Sequence, residues 1–269
     1  MTLPTTTAIE LQQDGPILHI WLNRPESKNA MNQQMVSELM QVFAAIKDDH
    51  AIRGVILRGR GGNFCAGADI KDMAGIRMQV AEVGNITPYV QFNRSFGALI
   101  EAVDQAPQVV VAVVEGAVLG GGFGLACVSD VALAAEDAQF GLPETGLGVI
   151  PAQIAPFVVQ RIGLTQTRRL ALLGNRFRGA EAVRLGLVHE MFDEEGVLDQ
   201  AVEQVKKQIR RTAPNANRVT KALLHRVGHE PMASLLDDAA QLFAEAVSGP
   251  EGIEGTMAFV QKRLPNWAE

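Results

Sequence analysis

Apolar positions recur along the chain with two periods, and the alternation between them outlines the fold. Across Ile17–Leu22 they alternate with polar positions around His19 and Trp21, and the run stops at Asn23-Arg24-Pro25, a turn sequence. Residues 31–47 place Met35, Leu39, Val42, Phe43 and Ile46 at the spacing of one helix face. Residues 55–58, Val109–Val114 and residues 131–134 are short β-branched or apolar runs suited to a buried sheet. The stretch from Asp72 to Ala106 is long and mixed, broken by Gly75, Gly84 and Pro88, before a cleaner helical pattern at 91–103. Such a stretch either covers a ligand pocket or is a solvated excursion. Beyond Pro156 the pattern is helical at 157–162, 165–173, Gly179–Arg184, 198–211, 217–227, 232–247 and 251–263. The order predicts an α/β core followed by a mainly α region, with no internal repeat or low-complexity linker to let the two swing apart.

Composition narrows the classes of function. At 269 residues and 47% hydrophobic content the chain can bury a substantial core. A net charge of −6, a pI near 5.5 and the absence of a long Lys/Arg run argue against a nucleic-acid partner. Residues 1–13 lack a basic segment followed by an apolar one, and no window approaches the roughly 18 apolar residues of a membrane span. A cytoplasmic protein without a membrane partner is expected. Cys65 and Cys127 lack the spacing of a metal knuckle or redox pair and read as buried structural thiols. His19, His50, His189, His225 and His229 show no metal-ligand spacing, so no metal is expected.

Two glycine-bearing turns carry the chemistry. Residues 116–124, Gly-Ala-Val-Leu-Gly-Gly-Gly-Phe-Gly, follow the apolar strand Val109–Val114 and predict the opening of a helix. Unhindered backbone N–H groups at that positive end would stabilise an oxyanion. The turn Phe64-Cys65-Ala66-Gly67-Ala68-Asp69-Ile70 follows the strand at 55–58 and can aim a second N–H at the same point. Two such donors make an oxyanion hole, as acyl and enolate chemistry requires. The triple glycine is not a nucleotide P-loop, because no Lys-Ser or Lys-Thr follows it. Ser129 in Cys127-Val128-Ser129-Asp130 lacks the Gly-x-Ser-x-Gly frame of a nucleophile elbow.

Residues 64–73, 116–122, Ser129-Asp130, 138–144 and 147–151, in that order, resemble the enoyl-CoA hydratase/isomerase, or crotonase, superfamily. The likeness extends from Asn23-Arg24-Pro25 and Asn29-Ala30-Met31 to Gly252 and Lys262-Arg263. It implies a ClpP/crotonase-like α/β fold, with a spiral of β-β-α turns over 1–200 and a C-terminal helical trimerisation region over 201–269. A homotrimer or dimer of trimers is implied, with an acyl-CoA thioester as substrate and no cofactor. The oxyanion-hole N–H groups would be those of Ala68 and Gly121, with Gly120 and Gly124 beside the acyl group. Backbone of Lys28, Ala30, Ala66, Asp69 and Ile70 would lie near coenzyme A, and Phe259 and Lys262 would approach the nucleotide of a neighbouring subunit.

One departure from the family pattern bears on the reaction. Typical hydratases of this family carry a glutamate two positions after the triple glycine, where this chain has Gly124; the second glutamate of the pair is present as Glu144. A lone Glu144 fits three readings: an isomerase moving a proton from C4 to C2 of a 3-enoyl thioester, a hydratase positioning water against C3, or a non-catalytic acyl-CoA binder. Residues 120–130 and 147–163 resemble the bacterial branch that hydrates isohexenylglutaconyl- and methylglutaconyl-CoA in acyclic terpene and leucine breakdown, which tilts the reading to hydration. A distal substrate carboxylate would then stand in for the acid absent at Gly124. Glycine there is also expected to free volume for a branched carbon. Met73, Ile76, Met78, Val80, Tyr89 and Phe92 are possible acyl-chain walls, and Arg77 and Arg94 are candidates to attract a substrate carboxylate, although plain core and exposed surface are the ordinary fates of such side chains.

Overall fold

The computed structural model describes residues 3–268. Its main sheet is built from β1 (Ile9–Asp14), β2 (Ile17–Leu22), β3 (Gly54–Gly59), β4 (Val109–Val114), β6 (Val131–Ala135) and β8 (Glu190–Phe192), in that spatial order. β1 and β2 are an antiparallel hairpin; every later neighbour is parallel. A second, two-stranded sheet pairs β5 (Ala117–Leu119) with β7 (Gln139–Gly141). The helices are α1 (Gln33–Ile46), α2 (Ile70–Val83), α3 (Thr87–Asp104), α4 (Gly121–Val128), α5 (Ala155–Leu173), α6 (Gly179–Arg184), α7 (Glu195–Arg211), α8 (Pro214–Arg226), α9 (Met232–Ser248) and α10 (Pro250–Val260).

β4 and β6 are apolar throughout because helices cover both faces of the sheet there. Val55, Leu57, Val110, Ala112, Val114, Ala132 and Ala134 enter the larger core, which includes Leu39, Val42 and Phe43 of α1 and Leu99, Ile100 and Val103 of α3. The alternate positions Ile17, Ile56, Val111, Val113 and Leu133 pack on Leu198, Val202 and Ile209 of α7. That alternation is the period-two side-chain geometry of a strand buried on both sides.

Several sequence expectations need correction. Residues 117–119 are strand β5 rather than the first turn of a helix, and α4 starts only at Gly121, because Gly120 (φ 51°, ψ −114°) breaks the extended run. The mixed stretch after Asp72 is two helices, α2 and α3, with Gly75 inside α2; no atom lies near its missing side chain, so only helix propensity is lost there. The helical patterns at 157–162 and 165–173 join as one α5, kinked at Gly163 (φ 77°, ψ 157°). Strand β8 interrupts the otherwise helical second half. The division drawn after residue 200 falls within α7, which packs on β6 and β8. The architecture is the expected α/β core followed by a mainly helical C-terminal region.

Candidate active site

Four short segments lie side by side and carry the expected chemistry at their ends. The turn at 28–31 lies beside 65–69: Ala66 N–H donates to Lys28 O (3.0 Å), Met31 N–H to Gly67 O (2.8 Å) and Asp69 N–H to Met31 O (3.0 Å). The next rung joins 65 to β5, with Cys65 N–H on Ala117 O (2.8 Å) and Leu119 N–H on Cys65 O (2.9 Å). β5 in turn pairs with β7, and Gly120 N–H reaches Gly141 O (3.1 Å). Ala68, Gly121 and Glu144 therefore stand just past the carboxyl ends of three neighbouring segments, the place where open α/β sheets bind ligands.

The backbone explains why two donors are left over. Met31 spans the Gly67 carbonyl and the Asp69 N–H, so in the parallel ladder Ala68 N–H faces the other way, beyond the point where β5 has ended. Gly121 is the first residue of α4, whose opening N–H groups lack intrahelical acceptors. Among the described residues neither the Ala68 nor the Gly121 N–H has an acceptor. Ala68 is exposed and Gly121 half-buried, so both donors are within reach of a ligand. Close approach is enforced by missing side chains: a Cβ on Gly122 would stand 2.6 Å from Cys65 O, and one on Gly67 3.3 Å from Leu119 O. Beneath them the Cys65 thiol accepts the Gly67 N–H at 3.4 Å. Burial pushes that thiol up to about 12, so it stays neutral.

Glu144 opens a single helical turn, Glu144–Leu147, closed by Gly148 (φ 74°), whose N–H bonds Thr145 O, and by Val149 N–H on Glu144 O (3.0 Å). Its Oε1 is 2.9 Å from where a Cβ on Gly120 would stand, and Gly67 Cα is 3.7 Å from the same point. The carboxylate thus lies at the junction of the two glycine turns. Its Oε2 is buried without a hydrogen-bond partner among the described residues. Burial pushes the Glu144 carboxyl above the ordinary carboxylate range.

The space beside Gly124 is filled, contrary to the expected free volume. A Cβ there would lie 2.3 Å from Ile154 Cγ2 and 3.5 Å from Ile100 Cδ1, and Ile154 is itself buried. Ile154, Met31 and Phe96 are the residues that sequence reading did not assign to the site. Met31 Cε and Phe96 Cζ crowd the Cβ position of Gly121 at 2.5 and 2.9 Å. The signal for Phe96 was its helical register with Ile100 on α3; nothing local marks Ile154.

The expected coenzyme-binding backbone gathers at one rim. Lys28 and Asn29 adopt left-handed φ of 50° and 55°, held by the fully buried Asn29 amide, which donates to Arg60 O (2.9 Å) and Asn63 O (2.6 Å) and accepts Arg24 N–H (2.8 Å). Arg24 ties the rim together, pairing with Asp69 at 2.8 Å and donating to Ala30 O. Asp69 also caps α2 through Lys71 N–H (2.9 Å), so its carboxylate serves the fold, while Ile70 beside it is exposed. Phe259 and Lys262 stand outside the ladder: Phe259 is exposed on α10, which packs on α9, and Lys262 follows it. Arg77 and Met78 are exposed, and Arg94 pairs with Glu101 at 2.9 Å. A cleft of about 300 Å3 between Asp104, Cys127, Asp130, Arg161 and His225 contains none of the expected site residues.

Among the described residues no group of three or more His, Cys, Asp or Glu side chains is placed to hold a metal ion, and no helix is long and apolar enough to cross a membrane.

Comparison with known proteins identifies the family. The family model described as enoyl-CoA hydratase/isomerase matches residues 12–269. A structure of Pseudomonas aeruginosa AtuE is 58% identical with a TM-score of 0.94, covering 98% of this chain and 100% of its own. An enoyl-CoA hydratase/isomerase from Marinobacter aquaeolei is 56% identical with a TM-score of 0.93, covering 97% of this chain and 99% of its own. The probable enoyl-CoA hydratase echA8 of Mycobacterium tuberculosis is 33% identical over 264 residues, 98% of each chain. With likeness along almost its whole length, the chain belongs to the enoyl-CoA hydratase/isomerase family of the crotonase superfamily.

Proposed function

We propose that the chain is a hydratase acting on a branched, 3-substituted glutaconyl-CoA thioester such as isohexenylglutaconyl- or methylglutaconyl-CoA. The observation that carries the reading is the meeting of Gly67, Gly120 and the Glu144 carboxylate, with the Ala68 and Gly121 N–H groups unpaired beside it. The thioester oxygen accepts from both N–H groups, which draws charge from the conjugated alkene and makes C3 electrophilic. Glu144 holds a water and takes its proton as the oxygen bonds to C3. The enolate then regains a proton at C2 from the same carboxyl, giving a 3-hydroxyacyl-CoA. A carboxyl whose proton affinity is raised by burial suits both halves of this exchange.

Because Ile154 occupies the space beside Gly124, the second polar contact to the water comes from the substrate's distal carboxylate rather than from the protein. The branch packs on the Ile154 and Phe96 side chains. Coenzyme A lies along Lys28, Ala30, Ala66, Asp69 and Ile70, and Phe259 and Lys262 meet the nucleotide of a neighbouring copy in a homotrimer or a dimer of trimers. Exposed Phe243, Phe259 and Val260 on α9 and α10 support that association. The apolar Ile154 also favours a second reading, in which Glu144 alone shuttles a proton from C4 to C2 of a 3-enoyl thioester. Turnover in oxygen-labelled water separates the two. Hydration places the label on C3 and is lost by about 10²- to 10⁴-fold in Glu144→Gln, with acyl-CoA binding retained. Conversion of a 3-enoyl to a 2-enoyl thioester without label establishes the isomerase, and unchanged turnover of the variant removes Glu144 from either mechanism.

A further inference from the structure

Gly97 lies within the 18-residue helix α3, where glycine lowers helix stability, and the space it leaves is occupied by polar groups. A Cβ at 97 would stand 1.9 Å from Gln153 Oε1 and 3.0 Å from Arg94 Nη1. Gln153 Nε2 donates to Asn93 Oδ1 at 2.8 Å, which fixes the Asn93 amide and leaves its Nδ2 without a partner among the described residues. Any other residue at 97 would expel the Gln153 amide.

This polar group adjoins the reacting centre. Asn93, Phe96, Gly97 and Ile100 share one face of α3 by their spacing. On that face Phe96 meets Gly121, Ile100 meets Gly124, and Asn93 comes one helical turn, about 5 Å, further from the oxyanion donors. That step is of the order of the separation between the two carboxyl carbons of a glutaconyl chain. Gln153 approaches from the facing segment, next to Ile154.

We propose that Asn93, Arg94 and Gln153 form a subsite for the free carboxylate at the far end of the acyl chain; the inference rests on the glutaconyl reading. Asn93 Nδ2 supplies a neutral donor and Arg94 a cationic one, the pair of donors a carboxylate takes. Gln153 orients Asn93 and packs into the gap at Gly97. Arg94 is engaged by Glu101, but both side chains of that ion pair are about half exposed, so the pair is weak and exchange to a substrate carboxylate costs little.

The test compares 3-methylglutaconyl-CoA with 3-methylcrotonyl-CoA, the same branched thioester without the distal carboxylate. Asn93→Asp keeps the size of the side chain and the acceptor for Gln153 but sets a like charge against the ligand. The expected result is a rise in KM of about tenfold or more for 3-methylglutaconyl-CoA, with the affinity for 3-methylcrotonyl-CoA, read as its inhibition constant against that substrate, unchanged. Arg94→Gln should move the same KM in the same direction. Equal changes on both thioesters, or none on either, overturn the subsite alone. A wild-type enzyme that turns over no glutaconyl thioester overturns the proposed function and the subsite with it.

Discussion

Packing at Gly124 gives the most direct quantitative test of the site. A methyl group introduced by Gly124→Ala lies inside α4, where alanine is worth about 1 kcal/mol over glycine. It also arrives 2.3 Å from Ile154 Cγ2 and 3.0 Å from Ile154 Cβ, and a buried β-branched side chain cannot swing clear as a flexible tip would. Overpacking of this kind costs about 1 to 3 kcal/mol, so the single substitution is neutral to destabilising. Ile154→Ala alone empties the space and costs about 2 to 5 kcal/mol. In that background the methyl at 124 meets no Cγ2, refills part of the cavity and gains its helix propensity. The double variant should therefore be more stable than the sum of the singles requires, by about 1 to 3 kcal/mol. Urea unfolding of the parent, both singles and the double measures this coupling. Additivity within about 0.5 kcal/mol would refute the claim that Ile154 fills the place of a side chain at 124.

Two further outcomes are expected. Gly120 holds a backbone conformation (φ 51°, ψ −114°) that side chains avoid, 2.9 Å from Glu144 Oε1 at its Cβ position, so Gly120→Ala should lower kcat and cost about 1 to 3 kcal/mol in a melt; unchanged values of both would count against the junction described above. Burial raises the Glu144 pKa above 4.5, so as pH climbs past that value the unfolded chain sheds this proton first and stability falls until the folded carboxyl has also ionised. Glu144→Gln removes that penalty, and melts taken from about pH 4 to 8 should show the variant gaining on the parent as pH rises, while wild-type kcat/KM climbs as the base ionises; a gap that closes with pH would reverse the sign.

The parts of the fold legible in the sequence are those whose period is set by burial over a whole element. β4 reads as a strand because all six residues are apolar, and they are apolar because α1 and α3 cover one face and α7 the other. β1, Ile-Glu-Leu-Gln-Gln-Asp, is an edge strand with exposed polar positions, and its identity comes from pairing with β2 residue by residue. β5 is three residues long, too short for either period, and its partners Cys65 and β7 are distant in sequence. A short Ala-Val-Leu run before three glycines looks locally like a helix start; only the tertiary ladder makes it a strand.

The same distinction governs the candidate site. Glu144 and the glycines around Gly121 are visible because their chemistry forces a residue type: positive φ at Gly67, Gly116 and Gly120 suits glycine, and a buried acid without a partner is costly to retain for packing alone. Ile154 carries no such mark, being one apolar residue among many, thirty positions from the glycine it abuts. Absence of a side chain at Gly124 therefore reads in sequence as space, whereas in the fold it is the condition for Ile154 to enter. A glutamate introduced at 124 would have to displace a buried isoleucine before it could reach a water. That Glu144 stands without a second acid at 124 is thus fixed by core packing between α4 and the start of α5, not by the loss of one carboxylate alone.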